Sequence, residues 1–536
     1  MWSISPCQSG ERTDGEPMAG RNSYSQWLWW LLPVAGLAII LATCSPEQLD
    51  ITSVESMSLE PPPTAPLAAA SHRWREHNNA DSGFHSIPEG RVALGTRLQL
   101  IDAAQSSIDA QYFLMKEDKA GYLFASSLLA AADRGVRVRF LLDDIYTTVK
   151  DASLVLLDTH PNIEVRLFNP IERGGFYWAK YLLQFERTNR RMHNKTLIVD
   201  QYAGIIGGRN IADEYFDLRA GSGFIDFDLF LLGDAASATT AGFDQFWNHP
   251  LSMPISAYLQ RVPEALLRKV RDRASAAMAT ATGEHYDAIR SAGLLDEVLN
   301  DQLPLVPGEA AAVTDSPEKL LAPPDKEQQI LVNRLKEVIV GAREEVLIST
   351  PYLIPGPSGV EFFRDLVARG MRVVILTNSL ASNNHVAAHG AYQRYRESLL
   401  DAGVELFEVR ATAADVYYEF GALRSGGEGR VNLHTKAIVI DRRWVLAGSL
   451  NLDPRAVNLN TEFGLLIDSP PLADELAARF EQRLQGTAYQ LQHQHGQLQW
   501  TAVIGDETVT LTKEPDASLW RRVVATLSTL LPESQL

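Results

Sequence analysis

The sequence predicts an α/β protein made of two duplicated αβαβα lobes on mostly parallel mixed sheets, with one active site at their pseudo-twofold interface. Three observations carry that prediction. Helical and strand-like segments alternate from Arg91 onward, the pattern of sheets covered by helices. The same run of elements returns about 240 residues later. A twenty-residue stretch, "RMHNKTLIVDQYAGIIGGRN" from Arg191, also recurs as "NLHTKAIVIDRRWVLAGSLN" from Asn432.

"RVALGTRLQLIDAAQSSIDAQYFL" reads as helix then strand, "AGYLFASSLLAAADRG" as an amphipathic helix closed by Gly135, and "VRVRFLLDD" as a buried strand. In the second half "QQILVNRLKEVIVGAREEVLISTPYL", "GVEFFRDLVARG" and "MRVVILTNS" repeat that series, with Gly370 closing the equivalent helix. "NIEVRLF" from Asn162 is answered by "GVELFEV" from Gly403. The lobes are expected at residues 86–300 and 327–536, the second with a C-terminal extension. "SVESMSLEPPPTAPLAAASH" and "LPLVPGEAAAVTDSPEKLLAPPDKE" are rich in Pro and Ala without periodicity, so 45–85 and 301–326 are expected as linkers.

Residues 1–44 form a separate problem. The run "WLWWLLPVAGLAIILAT" from Trp27 is apolar, preceded by Arg21 and followed by Glu47, Asp50, Glu55 and Glu60, which is the charge bias of an export signal or anchor with the body outside. Met18 offers a start whose "MAGR" supplies a basic leader. The run ends in "LATCS", similar to a bacterial lipoprotein cleavage site with Cys44 as the lipidated residue, although Thr43 stands where such sites prefer Gly, Ala or Ser. An uncleaved anchor is the other reading. Cys7 and Cys44 are the only cysteines, so no disulfide, zinc site or thiol nucleophile serves the body. A net charge of −17 argues against broad nucleic-acid binding.

The repeated stretch carries the chemistry. His, Lys and Asp recur as His193, Lys195, Asp200 and as His434, Lys436, Asp441. On a strand, His and Lys at i and i+2 share a face and would enter one cleft together. Asn210 and Asn451 follow, preceded by Gly207-Gly208 and Gly448-Ser449. These allow close backbone approach to an anion, with Asn210, Asn451 and Ser449 as phosphate donors. Two lysines and two asparagines can bear the charge on phosphoryl oxygens, while one imidazole attacks phosphorus and the other protonates the leaving oxygen. Each imidazole needs a partner at its second nitrogen. Counting from the histidine of its own lobe, Glu462 lies 28 residues beyond His434 and Asp226 lies 33 beyond His193, with Asp228 the rival of Asp226.

The doubled H-x-K-x-x-x-x-D with its trailing G-[GS]-x-N resembles the phospholipase D superfamily from about Arg91 to the C-terminus. "RGVRVRFLLDD", "HPNIEVRLFNP", "NRRMHNK", "GGRNIADEYF", "TNSLASNNHVAAHGAY", "GSLNLDPRAVNLNTE" and "TKEPDASLW" look more closely like bacterial cardiolipin synthases of the phospholipase D type. That resemblance implies metal- and cofactor-independent transfer of a phosphatidyl group through a phosphohistidine. The acceptor would be phosphatidylglycerol, the donor a phospholipid such as phosphatidylethanolamine, the nucleophile His193 and the acid His434. Phospholipid hydrolysis is the alternative, and a nuclease fits the acidity poorly. A membrane-associated envelope protein with its catalytic body facing the periplasm is expected, its oligomeric state open. "GGFYWAKYLLQFERTNRR" from Gly174 mixes aromatics with cations as a lipid-facing segment at the site mouth would. "SLWRRVVATLSTLL" places apolar residues on one helical stripe, facing core or lipid. His389 and Tyr392 are weighed as acceptor-side residues against a structural role.

Overall fold

Several central strands, such as TLIV at Thr196–Val199 and AIVI at Ala437–Ile440, are nearly continuous apolar runs, as strands covered on both faces tend to be. A computed structural model describes residues 54–145, 147, 151–171, 183–219, 222–258, 263–281, 286–413 and 430–533. The N-terminal apolar run, Cys44 and residues 174–182 of the aromatic-basic segment lie outside the described residues. Among the described residues no helix is long and apolar enough to cross a membrane.

The first lobe contains β1 (Ser82–Ile87), β2 (Ser107–Tyr112), β3 (Arg137–Asp143), β4 (Ile163–Phe168), β5 (Thr196–Val199), β6 (Ala203–Gly207), β7 (Ser222–Ile225), β8 (Asp228–Gly233) and β9 (Ser252–Pro254). Then comes β10 (Val306–Thr314). The second lobe has β11 (Glu345–Ser349), β12 (Arg372–Asn378), β13 (Glu405–Val409), β14 (Arg430–Leu433), β15 (Ala437–Ile440), β16 (Trp444–Gly448) and β17 (Phe463–Asp468). It ends with β18 (Ala488–Gln494), β19 (Gln497–Ile504) and β20 (Glu507–Leu511).

Eighteen of these strands form one sheet. Its first half runs β9-β4-β3-β2-β5-β6-β8-β1. The second half runs β10-β17-β16-β15-β11-β12-β13-β18-β19-β20. Pairing of β1 with β10 joins the two halves. The order β4-β3-β2-β5-β6-β8-β1 is thus repeated as β13-β12-β11-β15-β16-β17-β10, the duplication the sequence predicts. Parallel pairing is narrower than predicted: within this sheet only β2-β3-β4 and β11-β12-β13 run parallel, and every other ladder is antiparallel.

Helices close these units as expected. Lys119–Asp133 is capped by the Asp118 carboxylate, which accepts from the Gly121 amide at 3.1 Å. Gly135 and Gly370 take the left-handed conformation (φ 94° and 90°) that ends a helix without steric cost. Each lobe has its own core, and a third cluster is shared. Phe84, Ile206, Leu229 and Leu231 of the first lobe pack with Leu347, Val439, Val445 and Leu465 of the second. Each such side chain contributes about 1.5–3 kcal/mol when buried, so the lobes stand as one body.

Both expected linkers are corrected by the structure. Within 45–85, the helix Pro66–Asn78 buries Leu67 and Trp74 in the first core, and β1 follows it. Even the extended residues ahead of this helix are tied down, since buried Arg139 and Arg166 donate to the Ser56 and Val54 carbonyls at 2.6 and 2.8 Å. Within 301–326, β10 is the strand that opens the second repeat, as β1 opens the first. "VPGEAAAVT" has little intrinsic strand propensity. Its partners on both sides supply the pairing that its own composition does not.

Candidate active site

In each lobe the His-x-Lys pair lies on the extended residues leading into an apolar hairpin strand, β5 or β15. The apolar strands anchor this backbone in the core, and each lysine folds back so that its ammonium donates to the carbonyl of its own histidine. Lys195 Nζ to His193 O and Lys436 Nζ to His434 O are both 2.5 Å.

What places the histidines is backbone pairing across the lobes. The His193 amide donates to Thr461 O at 3.0 Å, and the Thr461 amide to Arg191 O at the same distance. In the other half β14 pairs in parallel with β7, and the His434 amide donates to Ile225 O at 2.7 Å. Two side chains that sequence reasoning missed hold these segments. Asp143, at the end of β3, accepts from the Met192 amide at 2.9 Å and from Arg191 Nε at 2.9 Å. Asn378, at the equivalent end of β12, accepts from the Leu433 amide and donates to its carbonyl, both at 2.8 Å. Their signal was present: they end matching strands of the repeat, in "FLLDD" and "VILTN".

Because the segments cross, so do the carboxylate partners. His193 Nδ1 lies 2.9 Å from Glu462 Oε2, and His434 Nδ1 lies 2.6 Å from Asp226 Oδ2. Each imidazole is held by a carboxylate of the other lobe. Sequence separation measures chain length, whereas the pairing of residues 191–193 with Thr461 and of β14 with β7 decides which carboxylate arrives. Asp228, the rival, instead binds Arg97 Nη1 at 2.8 Å.

With Nδ1 turned to a carboxylate, Nε2 is the nitrogen left for chemistry. Aromatic rings fix each imidazole edgewise: Phe113 against His193 at 4.9 Å and Tyr215 against His434 at 5.3 Å between centroids. Burial, reinforced by Lys195, Lys436 and Arg455, holds His193 well below its ordinary pKa. Burial and Lys436 lower His434 to about 3 against the opposing pull of Asp226. Burial thus favours the neutral form of both imidazoles. Desolvation also depresses the lysines, Lys195 strongly and Lys436 to about 8. The carboxylates diverge. Burial pushes Glu462 up to about 7, whereas for Asp226 the effect of burial is outweighed by His434, Lys436 and Arg209, leaving it below the ordinary range.

The remaining predicted residues divide. Asp200 and Asp441 do not face the cleft and are corrected from catalytic to structural. Asp200 accepts from the amides of Gln105, Ser106 and Ser107 at 2.8–2.9 Å, and Asp441 from those of Arg343, Glu344 and Glu345 at 2.8–3.0 Å. Each clamps the turn ahead of β2 or β11. Ser449 is not free for phosphate either: its hydroxyl donates to Glu462 and accepts from the Phe463 amide at 3.0 Å. The first copy has Gly208 there, where a Cβ would overlap the Asp226 carboxylate. Asn210 is spent on the Leu114 amide (3.3 Å) and the Tyr215 hydroxyl (3.0 Å). Asn451 differs, being buried with an amide oxygen that has no partner. His389 is fully buried beside Arg396 and Glu514, outside the site, and burial lowers it to about 4. Tyr392 packs on His389. Among the described residues no group of three or more His, Cys, Asp or Glu is placed to hold a metal ion.

Two His-Lys pairs brought to one cleft by duplicated α/β lobes define a phospholipase D-superfamily phosphatidyltransferase. The chain belongs to the family described as cardiolipin synthase, phospholipase D-like domain, whose model matches residues 98–247 and 335–484. Cardiolipin synthase C of Escherichia coli is 35% identical over 470 residues, covering 87% of this chain and 98% of that protein. An uncharacterized protein of Helicobacter pylori is 32% identical, covering 89% of this chain and 93% of the relative. Cardiolipin synthase of Oceanobacillus iheyensis is 24% identical, covering 76% of this chain and 70% of the relative. The crystal structure of a phosphatidylserine synthase from Haemophilus influenzae shares the fold, with a TM-score of 0.52 at 14% identity, over 78% of this chain and 91% of that one.

Proposed function

We propose that this phosphatidyltransferase makes cardiolipin, moving a phosphatidyl group from a donor phospholipid to the primary hydroxyl of phosphatidylglycerol. His193 Nε2 attacks phosphorus, the bond to the donor's head-group oxygen breaks, and His434 gives that oxygen its proton. His434, now neutral, takes the proton of the acceptor hydroxyl, whose oxygen displaces His193 from phosphorus. The observation that carries this reading is the crossed pair of imidazole-carboxylate contacts, which commits both Nδ1 atoms and leaves two Nε2 atoms for one phosphoryl group.

The carboxylates support the division of roles. Asp226 stays ionised and so favours an imidazolium at His434, the acid. Glu462, raised to about 7, favours a neutral His193, the nucleophile. An entering phosphodiester anion offsets the charge of Lys195 and Lys436, which allows His434 to hold the proton that burial denies it at rest. Lys195 and Lys436, with the side-chain NH2 of Asn451 as a further donor, are assigned to the phosphoryl oxygens. A protein attached to the bacterial envelope through its N-terminus, with Cys44 lipidated and the body facing the periplasm, fits these substrates.

The test is product analysis by mass spectrometry on vesicles of phosphatidylglycerol with and without phosphatidylethanolamine. Cardiolipin is the expected product. Phosphatidic acid in its place would replace transfer by hydrolysis, and a requirement for phosphatidylethanolamine would identify the donor.

A further inference from the structure

The C-terminal helix Leu519–Ser528 lies beyond the part of the chain that the family model matches, and the catalytic chemistry does not use it. Its inner face is closely packed. Ala525 and Ser528 are buried against the helix Val386–Gln393, and Gly390 admits the contact because a Cβ there would overlap the Ala525 carbonyl. Polar clamps fix its position: Arg521 donates to Leu380 O at 2.9 Å, Arg522 to Glu514 O at 2.8 Å and Arg394 to Leu531 O at 3.3 Å.

The outer face is apolar and bare. Leu519, Trp520 and Leu530 are 76%, 72% and 82% exposed, and Val523, Leu527 and Leu531 continue the same stripe in the open. Burying one such side chain contributes about 1.5–3 kcal/mol, so six on a rigid support are a surface made to be covered.

We infer that this stripe docks on an anionic phospholipid bilayer and brings the active-site mouth to it. Three observations favour a bilayer. A tryptophan beside leucines on an amphipathic helix is the composition of an interfacial element. Arg521 and Arg522 lie on the same helix as the stripe and their polar contacts are with the backbone carbonyls of Leu380, Asn383 and Glu514, so in a chain of net charge −17 the charge beside the stripe is positive and the complementary surface is anionic. The loop that Arg521 holds also leads to the site: it continues to His385, which stacks edgewise on Tyr352 at 5.3 Å, and Arg455 lies close enough to depress both His385 and His193. The inference rests on the phospholipid substrates proposed above.

The test uses the full chain and the double variant Leu527→Glu with Leu530→Glu, both exposed positions whose change leaves the core intact. On vesicles containing phosphatidylglycerol, hydrogen exchange of residues 519–531 is expected to slow relative to phosphatidylcholine vesicles, and the double variant abolishes the difference. The variant's KM for bilayer phosphatidylglycerol rises more than tenfold. Its kcat on a short-chain phosphatidylglycerol dissolved as monomers stays at the wild-type value. Protection without lipid that grows with protein concentration, together with a dimeric mass, would overturn the inference in favour of a contact between two copies. An unchanged KM, or equal losses on both substrates, would also overturn it. Vesicle-dependent protection in a protein that transfers no phosphatidyl group would sink the proposed function and leave the docking surface standing.

Discussion

Glu462 of the second lobe holds His193 of the first at 2.9 Å, a contact between residues 269 positions apart, and Asp226 answers it on His434. Neither lobe contains a complete His-carboxylate pair of its own. Replacing Glu462 or Asp226 by the isosteric amide keeps the shape and removes the charge behind the imidazole. Each change is expected to lower kcat about 10³- to 10⁴-fold with a smaller effect on KM. Steady-state kinetics checks this, and a loss confined to KM would mean that the carboxylates bind substrate directly.

The Glu462 contact is also held at a cost in stability that pH reveals. Burial raises this carboxyl from its ordinary 4.5 to about 7, so between those values the folded chain keeps a proton that the unfolded chain has released. Wild-type stability therefore falls as pH rises from about 4.5 to about 7. Glu462→Gln lacks that slope. Its Tm relative to wild type is expected to climb between pH 5 and pH 8 while its activity stays low. A Tm difference that does not change with pH would show that the carboxyl titrates in its ordinary range.

Asp200 and Asp441 belong to the repeated pattern yet serve the fold. Asp200→Ala leaves three backbone amides without their acceptor, which costs about 1–3 kcal/mol and lowers Tm. Below the shifted transition, turnover per folded molecule is expected to stay near wild type, in contrast to His193→Ala. Thermal melts paired with activity at low temperature decide the matter. A folded Asp200→Ala protein as inactive as His193→Ala would return the residue to the catalytic set.

Much of the architecture is visible in the sequence because the duplication prints every helix-strand unit twice, and the apolar stretches of β3, β11 and β12 need no partner to be recognised. His193, Lys195, His434 and Lys436 stand out for the same reason. What is hidden is whatever long-range pairing decides. β10 is a strand only because β1 and β17 flank it, and the helix Pro66–Asn78 is stable only because Leu67 and Trp74 find the first core. The crossing of Glu462 and Asp226 follows from backbone ladders between segments far apart in the chain. The identical spacing of Asp200 and Asp441 to their histidines suggests shared chemistry, but the same spacing also follows from one β-hairpin used twice.

Lys436 should contribute a limb on the alkaline side of the activity profile. Burial lowers it to about 8, and Asp226, Glu462 and Asp453 oppose the shift, so its charge is lost as pH rises through that value. For a soluble short-chain substrate, kcat/KM, which reports the free enzyme, is expected to fall above pH about 8. Asp453→Asn removes one opposing charge while its side-chain oxygen still accepts from the Ala456 amide, so the limb moves to lower pH. A limb that stays in place in this variant would assign it to another group.

The last prediction separates the two histidines, which the geometry makes nearly equivalent. Loss of the acid slows departure of a poor leaving group and activation of the second acceptor, whereas loss of the nucleophile prevents any covalent species. A donor with a good leaving group needs little protonation. With such a donor, His434→Ala is expected to accumulate a phosphatidyl group on His193, stable to base and labile to acid, while His193→Ala accumulates none. Intact-protein mass spectrometry after acid-free quenching reads both. The opposite pattern would exchange the roles of Asp226 and Glu462 along with those of the histidines, since each carboxylate acts through the imidazole it holds. Absence of a covalent species from both variants and from wild type during turnover would replace the two-step route by direct displacement, in which case the two Nε2 atoms would act as base and acid on opposite sides of the phosphorus.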